Sequence, residues 1–201
     1  MARNDGTANA VQPALIEAAA RLIATEGEAG LTLRRVADEV GTSTMAIYTH
    51  FGGMPELRRA VRREGFARLA QHLAQVGESD DPVADLAMLG RAYYENAMTN
   101  RHLYRAMFME QPLDGDASAR TETFDVLVGG MQRCIASGRF ASADPSALAR
   151  QFWALGHGVV SLQLAQLLSA EEAFSSLGVA TLNLFRAFGD DDAAARRSLR
   201  R

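Results

Sequence analysis

The run Leu31–Leu57, LTLRRVADEVGTSTMAIYTHFGGMPEL, constrains the fold of this chain more than any other stretch, because it sets two short amphipathic helices around a glycine turn. Leu33, Val36, Ala37 and Val40 fall at i, i+3, i+4 and i+7, one apolar face of a helix. Thr32 stands where its hydroxyl can cap that helix. Gly41, just past the last periodic residue, supplies the left-handed C-cap conformation at little steric cost. Ser43 is placed to cap a second helix, in which Ile47 and Phe51 share a face that can rest on the first. Thr44, Met45, Tyr48 and Thr49 are left facing outward.

This spacing predicts a helix-turn-helix, which lays the N-terminal end of its second helix against base edges in the major groove while the first helix crosses the backbone. Ser43, Thr44, Met45, Tyr48, Thr49 and His50 are therefore candidate DNA contacts on the second helix, with Thr32, Arg34 and Arg35 at the start of the first. A cation in the first turn of a helix opposes the helix dipole. A phosphate docked there would relieve that opposition by accepting from the free N–H groups and the guanidinium groups together. The competing reading leaves an arginine of this pair simply solvated. Overall charge is -3, yet residues 31–68 hold seven arginines (34, 35, 58, 59, 62, 63, 68) against Asp38, Glu39, Glu56 and Glu64, a local balance of +3. Local charge decides nucleic-acid affinity, since binding scales with the phosphates neutralised at the interface.

Through Thr32, Arg34, Ala37, Gly41, Ser43, Tyr48, His50 and Phe51 the segment resembles the TetR family of bacterial one-component regulators, whose signature is a threonine-capped helix, R-x-x-A, a G-x-S turn and a Tyr-x-His-Phe ending. Pro55, Glu56 and Leu57 continue the likeness into the next family helix. The chain departs at Met54, where the family usually carries a lysine. A phosphate contact is thereby lost at that helix start, and Arg58 or Arg59, one turn on, is the candidate substitute.

The remaining punctuation is helical. Residues 1–12 read as a flexible arm, and Pro13 to Glu26 as a first helix closed by Gly27. Pro55 to Val76 reads as a long connecting helix ending at Gly77. An acidic loop at 78–82 precedes a helix to about Asn100 and a shorter one from His102 to Glu110. After a loop at Pro112 and Gly115 come helices over 118–137, from Asp144-Pro145 to about Ser169, and from Glu171 to Gly189. The expected fold is all-α with about nine helices: a three-helix DNA-binding domain over 1–57, a helical ligand-binding and dimerisation domain over 58–189, and a disordered tail over 190–201.

A second resemblance lies in the penultimate helix, where Trp153, His157 and Gly158 form a W-x-x-x-H-G pattern similar to the tryptophan, histidine and glycine motif of one C-terminal domain class of TetR regulators. Trp153 and His157 are i and i+4 neighbours, either a core pair or ligand contacts. In that family the last two helices pair with the partner's. Leu155, Val159, Leu162 and Gln166 on one helix, and Leu177, Thr181, Leu184, Phe185 and Phe188 on the other, are the expected interface of a twofold homodimer that reads a palindromic operator in double-stranded DNA. The resemblance also implies a small-molecule effector. Met88, Tyr93, Tyr94, Met98, Tyr104, Met107, Phe108, Met109, Phe124, Trp153 and His157 are its candidate lining, since methionines adapt to irregular shapes and aromatic rings grip flat ligands. The same stripe also fits plain core. Gly129-Gly130, inside an otherwise helical run, fits a kink or a close helix approach. The connecting helix from Pro55 is the natural lever between the two functions.

Other classes find little support. A hydrophobic share of 48% and a charged share of 22% suit a globular chain and not a disordered one. Cys134 is the only cysteine, which excludes an internal disulfide and a cysteine-rich zinc site. The start lacks a secretory apolar core and no run approaches the ~20 apolar residues of a membrane span, so the chain reads as cytoplasmic without a membrane partner. His50, His72, His102 and His157 lack metal-ligand spacing, and neither G-x-S-x-G nor a glycine-rich phosphate loop occurs. No metal, cofactor or catalytic residue is expected. The alternatives are a helical small-molecule-binding protein without sequence-specific DNA binding and, given an intermolecular partner, a redox sensor built on Cys134.

Overall fold

The computed structural model describes residues 5–108 and 117–200, which form ten helices and, among those residues, no strand. They are α1 (Asp5–Gly30), α2 (Leu33–Val40), α3 (Thr44–Phe51), α4 (Met54–Ala74), α5 (Pro82–Thr99), α6 (Arg101–Phe108), α7 (Ala117–Ala136), α8 (Pro145–Leu164), α9 (Ala170–Ala187) and α10 (Asp192–Ser198). The all-α expectation holds, with one more helix than the sequence suggested. The chain divides into two compact units. One holds the chain up to Arg68 with the segment opening at Asn100; the other holds Leu69–Thr99 with the chain from Arg120. The division thus falls after Arg68 rather than after Leu57, and α6 belongs with the first unit.

The first unit closes around α1. Leu15, Ala18, Ala19 and Leu22 meet Val36 and Ala37 of α2, Ile47 and Phe51 of α3, Leu57 and Val61 of α4, and Leu103 and Ala106 of α6. Fully buried alanines on α1 leave room for the short helices to approach closely. Two expectations change here. The arm over 1–12 is helical from Asp5 onward, so Pro13 lies inside α1 rather than at its start, and Val11 rests against the core. Gly27 breaks the helix with φ 69 as expected, but helical residues resume to Gly30. Gly65 brings α4 and α6 together: a Cβ there would lie 2.5 Å from Met107 Sδ. Arg62 donates to the Met107 carbonyl at 3.2 Å, at the α6 C-terminus where the helix dipole favours a cation. Arg105 donates to the Ala24 carbonyl of α1 at 2.7 Å.

In the second unit Phe140, Phe152, Phe185 and Phe188 form a ring cluster with centroids 5.4–5.5 Å apart. Asp144 caps α8 with Pro145 in its first turn, and Ser169 with Glu172 forms a capping box on α9. Helix α8 stops at Leu164, short of Ser169, and Gln166 takes φ 62 in the turn that follows. The tail expected to be disordered carries α10, capped by Asp191. Arg139 fastens it: its Nε and Nη2 donate to Asp190 at 2.6 and 2.8 Å, and its Nη1 donates to Asp81 at 3.2 Å. Ser198 of α10 donates to the same Asp81 at 2.8 Å. The Asp190 side chain is 1% exposed, so this buried carboxylate is balanced by a bidentate guanidinium.

Candidate nucleic-acid interface and effector cavity

The two short helices α2 and α3 are built by the local signals that mark them. Thr32 accepts from the Arg35 amide at 3.3 Å and caps α2. Gly41 ends it with φ 70, donating to the Asp38 carbonyl, while the Thr42 amide reaches back to Ala37 at 2.9 Å. Ser43 accepts from the Ala46 amide at 3.3 Å and caps α3, which Gly52 closes with φ 74. Helices of eight residues are marginal alone, so burial decides their orientation. Val36, Ala37, Ile47 and Phe51 lie in the core, with Leu33 and Val40 packed against it. Thr44, Met45, Tyr48 and Thr49 are consequently turned out, Met45 being 68% and Tyr48 52% exposed. Thr49 donates to the Met45 carbonyl at 3.0 Å, and the half-buried His50 ring lies beside Phe51.

The arginines divide. Arg34 is 89% exposed and only approaches Asp38 at 4.0 Å, so its guanidinium stands in solvent as a phosphate contact requires. Arg35 instead crosses to α1, where its Nη2 donates to Glu26 Oε1 at 2.6 Å. That hydrogen bond and the Glu26 charge hold its guanidinium even more firmly protonated than usual. Arg35 is therefore corrected from a member of a free pair to a tether between α1 and α2. Met54 opens α4 and packs half-buried against the core, and Arg59 is paired with Glu56 one turn away. Arg63 on the same helix is exposed.

The expected effector lining does not gather in one place. Tyr104, Met107 and Phe108 belong to the first unit, where Tyr104 and Met107 are core and Phe108 stacks between Phe66 and Tyr104. Their assignment to a ligand pocket of the second unit is withdrawn. Met109 lies outside the described residues. In the second unit the Tyr93 hydroxyl and His157 Nδ1 are hydrogen-bonded at 3.2 Å, and the Trp153 ring lies 5.2 Å from that of His157. Burial pushes the His157 imidazole below its ordinary range, which keeps it neutral. The Tyr94 hydroxyl donates to Gln163 at 2.7 Å. Met98 and Phe124 are half-buried.

A cavity of about 470 Å³ in the second unit lies elsewhere, among Leu73, Val76, Leu89, Val126 and Gly129-Gly130, with Arg133 and Asp85 at its polar side. Arg133 donates to Asp85 at 2.9 Å, and Asp85 also accepts from the Ser79 hydroxyl at 2.6 Å and amide at 2.8 Å. Burial works to raise the Asp85 carboxyl, but the Ser79 hydrogen bonds and Arg133 outweigh it and hold it below the ordinary range. None of these lining residues was singled out as a ligand contact from sequence. The glycine pair was the available signal: a Cβ on Gly129 meets nothing within 4 Å, so that residue opens the cavity, while one on Gly130 would lie 3.1 Å from Leu86 Cδ1, the close helix approach the sequence suggested.

The expected dimer residues also separate. Thr181, Phe185 and Phe188 are buried within the unit itself and cannot form an interface. Leu155, Val159, Leu177 and Leu184 are half-buried, and Leu162 is 43% exposed. Cys134 is buried and desolvation pushes its thiol up to about 12, so it offers no thiolate for redox chemistry.

An all-α chain whose first unit holds the capped helix pair α2 and α3 and whose second is a larger helical unit fits the class of helix-turn-helix regulators. Residues 15–61 match the model of bacterial regulatory proteins of the tetR family, and residues 86–177 match that of the tetracyclin repressor-like C-terminal domain. The chain belongs to the tetR family of transcriptional regulators. The tryptophan, histidine and glycine class remains a resemblance carried by three residues. The uncharacterized HTH-type transcriptional regulator Rv0681 of Mycobacterium tuberculosis is 29% identical over 153 residues, covering 75% of this chain and 68% of that protein. The HTH-type transcriptional repressor AcnR of Corynebacterium diphtheriae is 40% identical over 63 residues, which span only 31% of this chain and 33% of AcnR. The crystal structure of a tetR-family regulatory protein from Rhodococcus RHA1 superposes with a TM-score of 0.76 at 21% identity, covering 90% of this chain and 97% of that one. Among the described residues no helix is long and apolar enough to cross a membrane.

Proposed function

We propose that this chain is a ligand-responsive repressor that binds a palindromic operator as a homodimer and is released by a small molecule. The observation that carries the reading is the outward face of α3, where Thr44, Met45, Tyr48 and Thr49 are exposed while Ile47 and Phe51 on the other side anchor the helix. Thr44 and Met45, at the N-terminal end, read base edges. Tyr48 and the solvated Arg34 hold phosphates. AcnR, 40% identical over 63 residues, is a repressor by name.

Dimerisation runs through the outward face of α8 and α9. On α8 this face holds Ala154, Leu155, Gly158 and Leu162, and a Cβ on Gly158 would meet nothing within 4 Å, leaving room for a partner helix. On α9 it holds Ser176, Ala180 and Ala187. The effector enters the 470 Å³ cavity beside Gly129-Gly130, within the range of small-molecule sites. Helix α4 supplies residues to both units and is one of the three covalent crossings between them. Ligand shifts the population of head arrangements by no more than its differential affinity for them.

The test is selection of random duplex DNA on the purified protein at near-physiological salt, with light scattering on the same sample. An enriched palindrome and a dimer mass are expected. Salt-sensitive binding without enrichment would favour a ligand-binding helical protein, and a monomer would remove the twofold account.

A further inference from the structure

A second concavity of about 400 Å³ shares no lining residue with the cavity at Gly129-Gly130. It follows α5 from Ala84 to Tyr94, about 15 Å at the rise of an α-helix. Its opposite wall is α9 and its end is closed by α10. The stripe Phe174, Gly178 and Leu182 runs along it at i, i+4 and i+8, a different face of α9 from the Ser176, Ala180 and Ala187 side. Met88, Leu177, Val179 and Leu199 add to the apolar lining. Phe174 is 60% and Met88 39% exposed, which is costly apolar surface to leave open without a use.

The residues that line this groove carry charge of one sign, with Glu95 and Asp192 paired to two of them from outside the lining. Arg91, Arg196 and Arg200 line the groove and no carboxylate does. Arg91 donates its Nε to Glu95 at 2.8 Å, and Arg196 its Nε to Asp192 at 2.9 Å. Both bonds fix the arginines through Nε alone, and among the described residues the Nη edges keep their donors. Arg200 donates its Nε to the Arg196 carbonyl at 3.1 Å and forms no ion pair among the described residues. A guanidinium matches a carboxylate in a planar, bidentate fashion. Gly178 gives the groove its width, because a Cβ there would meet nothing within 4 Å.

We infer that the α5–α9 groove is a binding site for a medium-chain carboxylate, its tail against Phe174, Leu182 and Met88 and its head group at Arg196 and Arg200. The site is separate from the effector cavity proposed above and does not depend on it.

Titration calorimetry of the full chain with decanoate and with decyltrimethylammonium, the same tail under opposite charge, tests the assignment. Decanoate should saturate one site per chain and bind at least tenfold more tightly than the ammonium. Gly178→Trp should fill the groove and abolish decanoate binding with an unchanged thermal melt. An Arg196→Gln, Arg200→Gln double variant should weaken decanoate about tenfold, the size of one charge-assisted hydrogen bond, and leave the ammonium unaffected. Equal affinity for the two amphiphiles, or decanoate binding that survives Gly178→Trp, overturns the proposal. So does a wild-type dimer that Gly178→Trp splits, since a second copy of the chain would then own the groove. DNA selection on the same variant reports on the regulator separately.

Discussion

Replacing Gly65 with alanine should destabilise the wild-type chain yet stabilise a chain that lacks the Met107 side chain. Gly65 lies within α4, and a Cβ there would come 2.5 Å from Met107 Sδ and 2.6 Å from its Cγ. Met107 is 3% exposed and cannot swing into solvent, while its carbonyl is held by Arg62. Alanine in a helix interior gains about 1 kcal/mol over glycine. Overpacking a closed contact costs about 1–3 kcal/mol, so Gly65→Ala alone should lose up to about 2 kcal/mol. Met107→Ala should itself cost about 2–5 kcal/mol through the cavity it leaves. In that background the overlap is gone, and Gly65→Ala should gain about 1 kcal/mol, giving a coupling of about 1–3 kcal/mol in the double-mutant cycle. Urea unfolding of the four chains followed by helical circular dichroism measures this through shifts in midpoint at constant slope. The same sign of effect in both backgrounds would refute the close approach of α4 and α6.

Tyr48→Phe should weaken operator binding by about 0.5–1.5 kcal/mol, one lost hydrogen bond, equally across operator sequences; fluorescence anisotropy against several operator variants checks this, and a sequence-dependent loss would assign Tyr48 to base reading instead. Arg139→Met should cost about 3–5 kcal/mol in urea unfolding, because it strands the buried Asp190, and limited proteolysis should then cut near α10 first; an unchanged midpoint would mean the clasp is dispensable. Burial lowers the folded-state pKa of His157, so the unfolded chain binds more protons below about pH 6.5 and this contribution to stability is lost as pH falls through that range. His157→Gln should flatten the acid limb of the melting profile, and an identical limb in the variant would contradict the assignment.

The reading head was legible because its signals are local. Thr32 and Ser43 each accept from an amide three residues on, Gly41 donates to carbonyls three and four residues back, and the Ile47–Phe51 spacing orients α3 without reference to distant parts of the chain. The errors share a different physical origin. Arg35 finds Glu26 on another helix, a partner no local pattern specifies. Helical periodicity identified the apolar face of α9 but not what covers it: Thr181 is buried within the unit, and Phe185 and Phe188 turned inward to meet Phe140 and Phe152 in place of a partner subunit. Methionine and aromatic content could not say that Tyr104 and Met107 belong to the core around α1 and α4. For α10 the sequence did hold a signal: Asp191 and Asp192 precede an alanine and arginine run, an N-cap with charges that suit the helix dipole. Its docking depends on Arg139 and Asp81, far away in the chain.

The central claim is that the exposed end of α3 reads bases, and parallel selections of random duplex DNA on the wild-type chain and on Met45→Ala test it most directly. Met45 is 68% exposed and makes no core contact that the change would break, so both proteins should fold and dimerise alike. The account predicts a palindrome from each, with the preferred bases altered at the same positions of both half-sites. Identical palindromes, or a uniform loss of affinity without a change of preference, would contradict it.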